Sequence, residues 1–158
     1  MSWGVLSFLV GEYYIQRDVN SKTHKLINSK TNSMESNYHF KFEELQMYQK
    51  ALDFADVVNG QIKSYPKHEK YQLASQFIRA ADSIALNIVE GSASTRANFN
   101  RYLQIAWDSA HECVVCSTKS RRRGYILDEV DEENRAAVTE LPKMITSYKK
   151  YLKKKMKT

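Results

Sequence analysis

The segment from Gln76 to Gly91 constrains the fold most, because an apolar and a polar stripe run along it at helical spacing. Members of each stripe lie three or four residues apart, which places them on one face of a helix. The apolar stripe holds Phe77, Ala80, Ala81, Ile84 and Ile88, and the polar stripe holds Gln72, Gln76, Arg79, Ser83, Asn87 and Glu90. Gly91 is predicted to end this helix in a left-handed conformation. Periodicity alone favours a polar stripe that faces solvent.

The chain contains few residues that break helices or strands. Five glycines and two prolines among 158 residues favour a few long helices over many short strands. The pattern predicts helices over about 41–64, 68–90, 95–122 and 128–156, with Thr95 as an N-cap and Gly124 as a helix end. Short connections imply antiparallel neighbours. We therefore predict an all-α, up-down-up-down antiparallel four-helix bundle.

The apolar stripes of the other helices give a candidate core. Alanines 80, 81, 85, 106 and 110 would let helices 2 and 3 approach closely. Pro142 lies inside helix 4 and predicts a kink or break near 138–142. The inward residues are expected to be Leu45, Tyr48, Leu52, Ala55, Val58 and Ile62 on helix 1; Phe99, Tyr102, Leu103, Ala106, Ala110, Cys113 and Ser117 on helix 3, bordered by Trp107; and Val130, Val138, Leu141, Ile145, Tyr148 and Leu152 on helix 4.

Residues 1–37 differ from the bundle segment 38–158. They end in a polar stretch typical of flexible chain. Either Met34 is the natural start, which we favour, or this is a native extension whose apolar residues dock on the bundle or a partner. The apolar run 5–10 has no basic region before it and is far shorter than the roughly 20 residues that span a bilayer. We expect a cytoplasmic protein without a secretory signal or membrane span.

The net charge of +6 is unevenly distributed. An acidic run over 128–133 separates two basic clusters, and residues 143–158 hold seven lysines and no acid. Acids at a helix start and lysines at its end complement the helix dipole, which explains much of this pattern. The alternative is a nucleic-acid surface. Its candidate residues are Lys119, Arg121, Arg122, Arg123, Lys149, Lys150, Lys153, Lys154, Lys155 and Lys157.

Two cysteines, Cys113 and Cys116, form a Cys-x-x-Cys pair inside predicted helix 3. His111 points about 200° away from Cys113 around the helix, so it does not complete a metal site with both sulfurs. Buried structural thiols are the better interpretation. The chain also lacks a phosphate-binding glycine loop and any suggestive pairing of its four histidines with a nucleophile. We expect no metal, no cofactor and no enzymatic activity.

A second group of polar residues, Arg79, Asn87, Glu90 and Glu112, lies on helices 2 and 3. If these helices are neighbours, Arg79 reaches Glu112 across the bundle. A half-buried charge pair is weak evidence for stability, so we expect it to fix helix register or subunit contacts. Arg79 and Glu90 are then expected to face neighbouring protein. Acid-base catalysis is the alternative, but no nucleophile or metal constellation accompanies these residues.

The chain resembles the four-helix-bundle family of 23S rRNA intervening-sequence proteins over roughly residues 38–155. The resemblance is carried by Phe42-Glu43-Glu44-Leu45, Tyr48-Gln49-Lys50-Ala51, Tyr65-Pro66-Lys67, Glu69-Lys70-Tyr71, Arg79-Ala80-Ala81, Ser83-Ile84, Asn87-Ile88-Val89-Glu90-Gly91, Phe99-x-Arg101-Tyr102-Leu103, Ser109-x-x-Glu112 and Gly124-Tyr125-Ile126-Leu127. It implies a homo-oligomer, specifically a homopentamer. A related branch comprises accessory proteins of diversity-generating retroelements, which work with a reverse transcriptase and its RNA.

Two functions follow as hypotheses. The first is a basic, non-enzymatic oligomer that binds RNA or DNA, alone or together with a protein such as a reverse transcriptase. The second is a protein-protein adaptor in which the lysines only increase solubility. The sequence specifies neither the ligand nor the biological process.

Overall fold

The computed structural model describes residues 38–156. The chain divides into two units, Met1–His39 and Phe40–Thr158, and the helices below belong to the second. The predictions for residues 1–37, including the alternative starts and the docking of apolar residues, lie outside the described residues. Lys157 lies outside them as well.

Four helices and two short 3₁₀ helices make up the second unit. The α-helices are α1 (Gln46–Ile62), α2 (Leu73–Ser92), α3 (Arg96–Arg122) and α4 (Asp128–Met156). The 3₁₀ helices, Lys41–Glu44 and Lys67–Tyr71, precede α1 and α2. Helices adjacent in sequence pack against each other, and α1 also contacts α4. The predicted all-α four-helix fold is confirmed, and residues 38–156 contain no strand.

The first two α-helices begin later than the sequence predicts. Leu45 is extended, with φ −76° and ψ 111°, so it separates the first 3₁₀ turn from α1. Gln72, with φ −117° and ψ −108°, likewise separates the second 3₁₀ turn from α2, although it is not extended. The predicted ends of α3 are confirmed: the Thr95 hydroxyl accepts a hydrogen bond from the Asn98 N–H at 3.3 Å, and Gly124 follows the helix with φ +70°. A side chain at φ +70° would be strained, which explains the glycine.

The core follows the predicted stripes on three helices. Phe77, Ile84 and Ile88 of α2, Leu103 of α3 and Ile145 of α4 are fully buried. On α1 the prediction is partly wrong, because Leu52 is 38% exposed. The buried residues of α1 are Met47, Ala51, Phe54, Ala55 and Val58. This helix carries overlapping apolar stripes, and packing against α2 and α4 selects one of them.

Pro142 does not break α4. The helix is continuous from Asp128 to Met156 with the proline inside it, so of the predicted kink or break the break is wrong and the kink stays a prediction. Proline removes one backbone donor from a helix interior. Leu141 and Ile145 on either side of it are buried, with 1% and 0% exposure. Burial of this apolar face favours one long helix over two short ones.

Gly91 has a different role from the predicted helix end. It lies within α2, which continues to Ser92, and its φ is not positive. A Cβ atom at this position would lie 2.5 Å from Phe99 Cδ2 and 2.9 Å from Tyr102 Cβ. The glycine is therefore required by the close approach of α3 to the last turn of α2. Phe99 and Tyr102, the two residues that pack against Gly91, lie on the first turns of α3.

Replacing Gly91 tests this close approach. Gly91→Ala is expected to lower the free energy of unfolding by about 1–3 kcal/mol, because overpacking outweighs the gain in helix propensity. Chemical denaturation measures the change. Thr139→Ala, at an exposed position of α4, is the control and should change stability by less than about 0.5 kcal/mol. An alanine variant as stable as the parent would contradict the assigned role of Gly91.

Candidate nucleic-acid interface

The two predicted basic clusters lie at opposite ends of the bundle. At the start of α3, the Arg96 guanidinium donates to the Lys155 carbonyl oxygen at 2.9 Å. Just beyond the other end of α3, the Arg123 guanidinium donates to Glu69 Oε1 at 2.6 Å. The 27 residues of α3 separate these contacts by about 40 Å at ~1.5 Å per residue. The end of the bundle that holds the first turns of α3 and residues 143–156 of α4 is called the tail end. The opposite end, with residues 63–72 and 119–133, is called the loop end.

At the loop end, Arg123 is paired with a buried carboxylate. Glu69 is only 3% exposed and also accepts hydrogen bonds from the Tyr125 hydroxyl at 3.1 Å and the Leu73 N–H at 3.1 Å. Burial by itself raises the pKa of Glu69, but these hydrogen bonds and the Arg123 charge hold the pKa below its ordinary value. Arg123 therefore has a structural task, which is to neutralise a carboxylate inside the fold.

Arg121 is likewise paired with carboxylates. Its Nε lies 3.2 Å from Asp131 Oδ2, and its Nη1 donates to Asp128 Oδ1 at 3.2 Å. Asp131 is 1% exposed and also binds the Ser117 hydroxyl at 2.6 Å and Arg135 Nε at 3.0 Å. Burial opposes ionisation, but the Ser117 hydrogen bond and the two guanidinium groups hold the Asp131 pKa below its ordinary value.

Asp131 belongs to a buried polar network that sequence reasoning missed. Ser117 accepts a hydrogen bond from Asn134 at 3.0 Å, and Asn134 exchanges two hydrogen bonds with Gln61 at 2.9 and 3.0 Å. The network thus joins α1, α3 and α4. The acidic run 128–133 was the signal for this network in the sequence, but the helix dipole alone is enough to explain such a run. A carboxylate four residues before Arg135 was a further hint of a local ion pair.

Tyr65 adds a second buried link at the loop end. Its hydroxyl donates to Ser120 Oγ at 2.6 Å, and burial raises its pKa to about 12. Of the four basic residues predicted here, only Lys119 and Arg122 are exposed without a partner among the described residues. Acidic side chains of the first turn of α4 lie in the same region. The loop end therefore has mixed charge.

The α4 residues of the tail end carry several basic side chains and no acidic one. Lys150, Lys153 and Lys155 are exposed, and no acid occurs between residues 143 and 158. Lys154 is exposed too. Lys149 is partly buried and donates to Gln104 Oε1 of α3, and burial together with nearby Lys153 lowers its pKa.

The first turns of α3 extend this positive surface. Arg96 and Arg101 are exposed, and no acid precedes Asp108 on α3. Arg101 lies three residues before Gln104, on the same side of the helix. Because Gln104 binds Lys149, this side of α3 lies next to α4. Cations from two helices therefore share the tail end.

Three aromatic rings connect the core to the surface of the tail end. The ring centroids of Phe99 and Tyr148 are 5.3 Å apart, and those of Tyr148 and Tyr151 are 5.6 Å apart. Phe99 is 6% exposed, Tyr148 is partly buried and Tyr151 is 52% exposed. Burial, with nearby Tyr151 contributing, raises the pKa of Tyr148. Tyr148 is therefore a neutral phenol near pH 7.

The predicted contact between Arg79 and Glu112 is wrong. Glu112 instead accepts a hydrogen bond from Gln76 at 3.0 Å, one helical turn before Arg79. Arg79 and Glu90 are exposed and make no ion pair within the described part of the chain. Asn87 donates to Ser83 on its own helix at 2.7 Å, and Ser83 reaches Ser109 of α3 at 2.9 Å. The Gln76–Glu112 and Ser83–Ser109 hydrogen bonds, and not an ion pair, link α2 to α3 here.

The cysteines are buried thiols, as predicted. Cys113 and Cys116 are both fully buried and free. Burial raises the pKa of both thiols, that of Cys116 to about 11, so neither is a reactive thiolate near pH 7. Within residues 38–156, no three histidine, cysteine or carboxylate side chains converge to hold a metal ion. None of the described helices is long and apolar enough to cross a membrane.

Fold and charge together define a basic, all-α four-helix-bundle protein. The family model of the 23S rRNA-intervening sequence proteins matches residues 43–147, and the chain belongs to this family. A crystal structure of a protein of unknown function, from the S23 ribosomal protein family of Bacteroides thetaiotaomicron, is 30% identical. The similarity covers 66% of this chain and 95% of that chain, with a TM-score of 0.60. No curated protein matches the chain.

The low pKa of Asp131 gives a prediction with a defined sign. As the pH falls, the unfolded state binds the proton first, near the ordinary value of 3.8, so the folded state loses stability below about pH 5. Asp131→Asn should lower the free energy of unfolding by about 1–2 kcal/mol near pH 7. Its acid dependence should be flatter than that of the parent.

Denaturation curves between neutral and acid pH measure both effects. Asp128→Asn is the matched control, because this carboxylate is 79% exposed, and it should leave stability within about 0.5 kcal/mol. Equal acid dependence of the parent and the Asp131→Asn variant would show that Asp131 does not hold the loop end together.

Proposed function

We propose that this protein binds nucleic acid through the tail end, without catalysing a reaction. The observation that carries the proposal is the concentration of lysines on the last turns of α4, together with Arg96 and Arg101, on a surface where α4 has no acid after residue 140. Phosphate chains are the abundant partners that such a surface attracts. The family is named for an intervening sequence of 23S rRNA, which agrees with an RNA ligand.

The proposal assigns the two basic clusters different tasks. Arg121 and Arg123 neutralise buried Asp131 and Glu69, so their charges are already compensated within the fold. Lysines 150, 153 and 155 have no such partner among residues 38–156. Lys119 and Arg122 are the remaining candidates at the loop end, about 40 Å away along α3. A single subunit therefore offers the tail end as its main phosphate-binding surface.

Oligomerisation would multiply this charge. We propose a homo-oligomer, with the pentamer that the family resemblance implies. In a ring whose bundles stand along the symmetry axis, all tail ends lie on the same side of the ring. Their lysines would then form one continuous positive surface, on which binding strengthens with each engaged subunit. A protein partner such as a reverse transcriptase would act together with this surface.

Neutralising the tail-end lysines tests the proposed function. The triple variant Lys150→Gln, Lys153→Gln and Lys155→Gln should weaken binding to labelled RNA or DNA at least tenfold at low salt. The salt dependence of the binding constant should fall with it, by about 0.7 per lost phosphate contact on a single strand. Fluorescence anisotropy at several salt concentrations measures both quantities.

The matched control removes three cations from the loop end. Lys67→Gln, Lys119→Gln and Arg122→Gln change the net charge equally, and we expect less than a threefold effect on affinity. If the two triple variants lose affinity equally, binding follows net charge and not the tail end. If the parent binds neither RNA nor DNA even at low salt, the proposed function is wrong.

The adaptor role is the second candidate, because apolar side chains are exposed on the middle helices. Leu86 of α2 is 59% exposed and Val115 of α3 is 50% exposed. Leu86 lies one turn before Glu90 on the outer face of α2. These side chains favour contact with another protein, either a second copy of the chain or a different partner.

A charge placed at Leu86 tests the homo-oligomer. Leu86→Glu is expected to shift the mass measured by light scattering from the oligomer to the monomer, because it buries an unpaired carboxylate at a subunit contact. Leu127→Glu is the control, since Leu127 is 60% exposed at the loop end. If Leu86→Glu leaves the oligomer unchanged, Leu86 is not at a subunit contact and α2 is available to a different protein. Binding of such a protein by the parent but not by the Leu86→Glu variant would support the adaptor role.

A further inference from the structure

We propose that the tail end recognises single strands, with an unpaired base stacked on the ring of Tyr151. This inference rests on the proposed function and adds the class of ligand. It comes from the aromatic side chains of the tail end, which phosphate binding by lysines does not use.

The ring of Tyr151 is exposed but held in place. It is 52% exposed, and its inner side packs against Tyr148, whose ring in turn packs against Phe99. Phe99 is fixed in the core by its close approach to Gly91 of α2. A ring held in this way loses little conformational entropy when a ligand stacks on it. The exposed part of Tyr151 is thus a preorganised aromatic surface.

Lysines lie close to Tyr151 along α4. Lys155 follows Tyr151 by four residues, which places it on the same side of α4 and about 6 Å along the axis. Lys150 precedes it directly, and Lys143 lies two turns earlier. No carboxylate occurs on α4 from residue 143 onward. A base on the ring would therefore have its flanking phosphates near lysines.

The preference for single strands follows from the surfaces that each form of nucleic acid exposes. In a duplex, the faces of the bases are covered by their neighbours, and only the backbone and groove edges remain accessible. Single strands and loops expose base faces, which stack on aromatic side chains with little dependence on sequence. Tyr151 adds affinity only for such unpaired bases. Duplexes would engage the lysines alone.

An exposed tyrosine at the loop end lacks this setting. Tyr71 at the loop end is 83% exposed, but Lys70 Nζ lies over its ring, 5.4 Å from the centroid. The buried carboxylate of Glu69 and the acids of the first turn of α4 belong to the same end. Tyr71 is therefore a matched control: a tyrosine at the surface, without an acid-free cluster of lysines.

The experiment compares Tyr151→Leu, Tyr151→Phe and Tyr71→Leu with the parent, all as the full chain. Fluorescence anisotropy is measured on labelled single strands of RNA and of DNA and on duplexes of equal length, at low and at moderate salt. Thermal unfolding checks that each variant remains folded. Tyr151→Leu should bind single strands about five- to hundredfold more weakly, with an unchanged salt slope. Its duplex affinity should change less than twofold.

Tyr151→Phe keeps the ring and should retain single-strand affinity within about threefold, and Tyr71→Leu should match the parent. RNA and DNA should show the same loss with Tyr151→Leu, because stacking does not involve the 2′-hydroxyl. If Tyr151→Leu binds single strands as the parent does, while the tail-end lysine variant loses affinity, the stacking role is wrong and the proposed function stands. If the parent binds no nucleic acid at all, both are wrong.

Discussion

The close approach of α2 and α3 is the constraint on which the rest of the structure depends. Small side chains line this contact, and Gly91 leaves no room for a Cβ beside Phe99 and Tyr102. Because this contact fixes the position of α3 on α2, it also sets where Phe99 meets Tyr148 of α4. This packing also sets the geometry of the tail end, because Phe99 is the innermost of its three aromatic rings. Dense interiors transmit such positional constraints over long distances.

Buried carboxylates separate the tasks of the basic residues. Ionised Glu69 and Asp131 are tolerated inside the fold only because guanidinium groups and hydrogen bonds compensate the lost hydration. That requirement occupies Arg121 and Arg123 at the loop end and Arg135 next to it on α4. Within residues 38–156, no buried carboxylate makes such a demand on Lys150, Lys153 or Lys155. Cations of the same formal charge are thus structural at one end of the bundle and available to a ligand at the other.

Sequence patterns predicted the helices and most of the core, since periodicity reports which side of a helix is apolar. They failed where a choice depended on a neighbouring helix. Leu52 belongs to an apolar stripe of α1 that packing does not select, and Pro142 lies in a helix that its buried face keeps continuous. For the candidate site, the basic residues were identifiable by type. Their separation into two ends, and the aromatic chain through Tyr148, were not.

The sequence by itself determined the all-α class, the number of helices, the Thr95 cap and the end of α3 at Gly124, because these depend on residues close in the chain. Only the tertiary structure decided that Arg123 pairs with Glu69, 54 residues away, and that Gln76 and not Arg79 reaches Glu112. Side-chain pairing across a bundle depends on the rotation and register of packed helices. A shift of one residue turns a side chain by about 100°, so local patterns do not specify its partner.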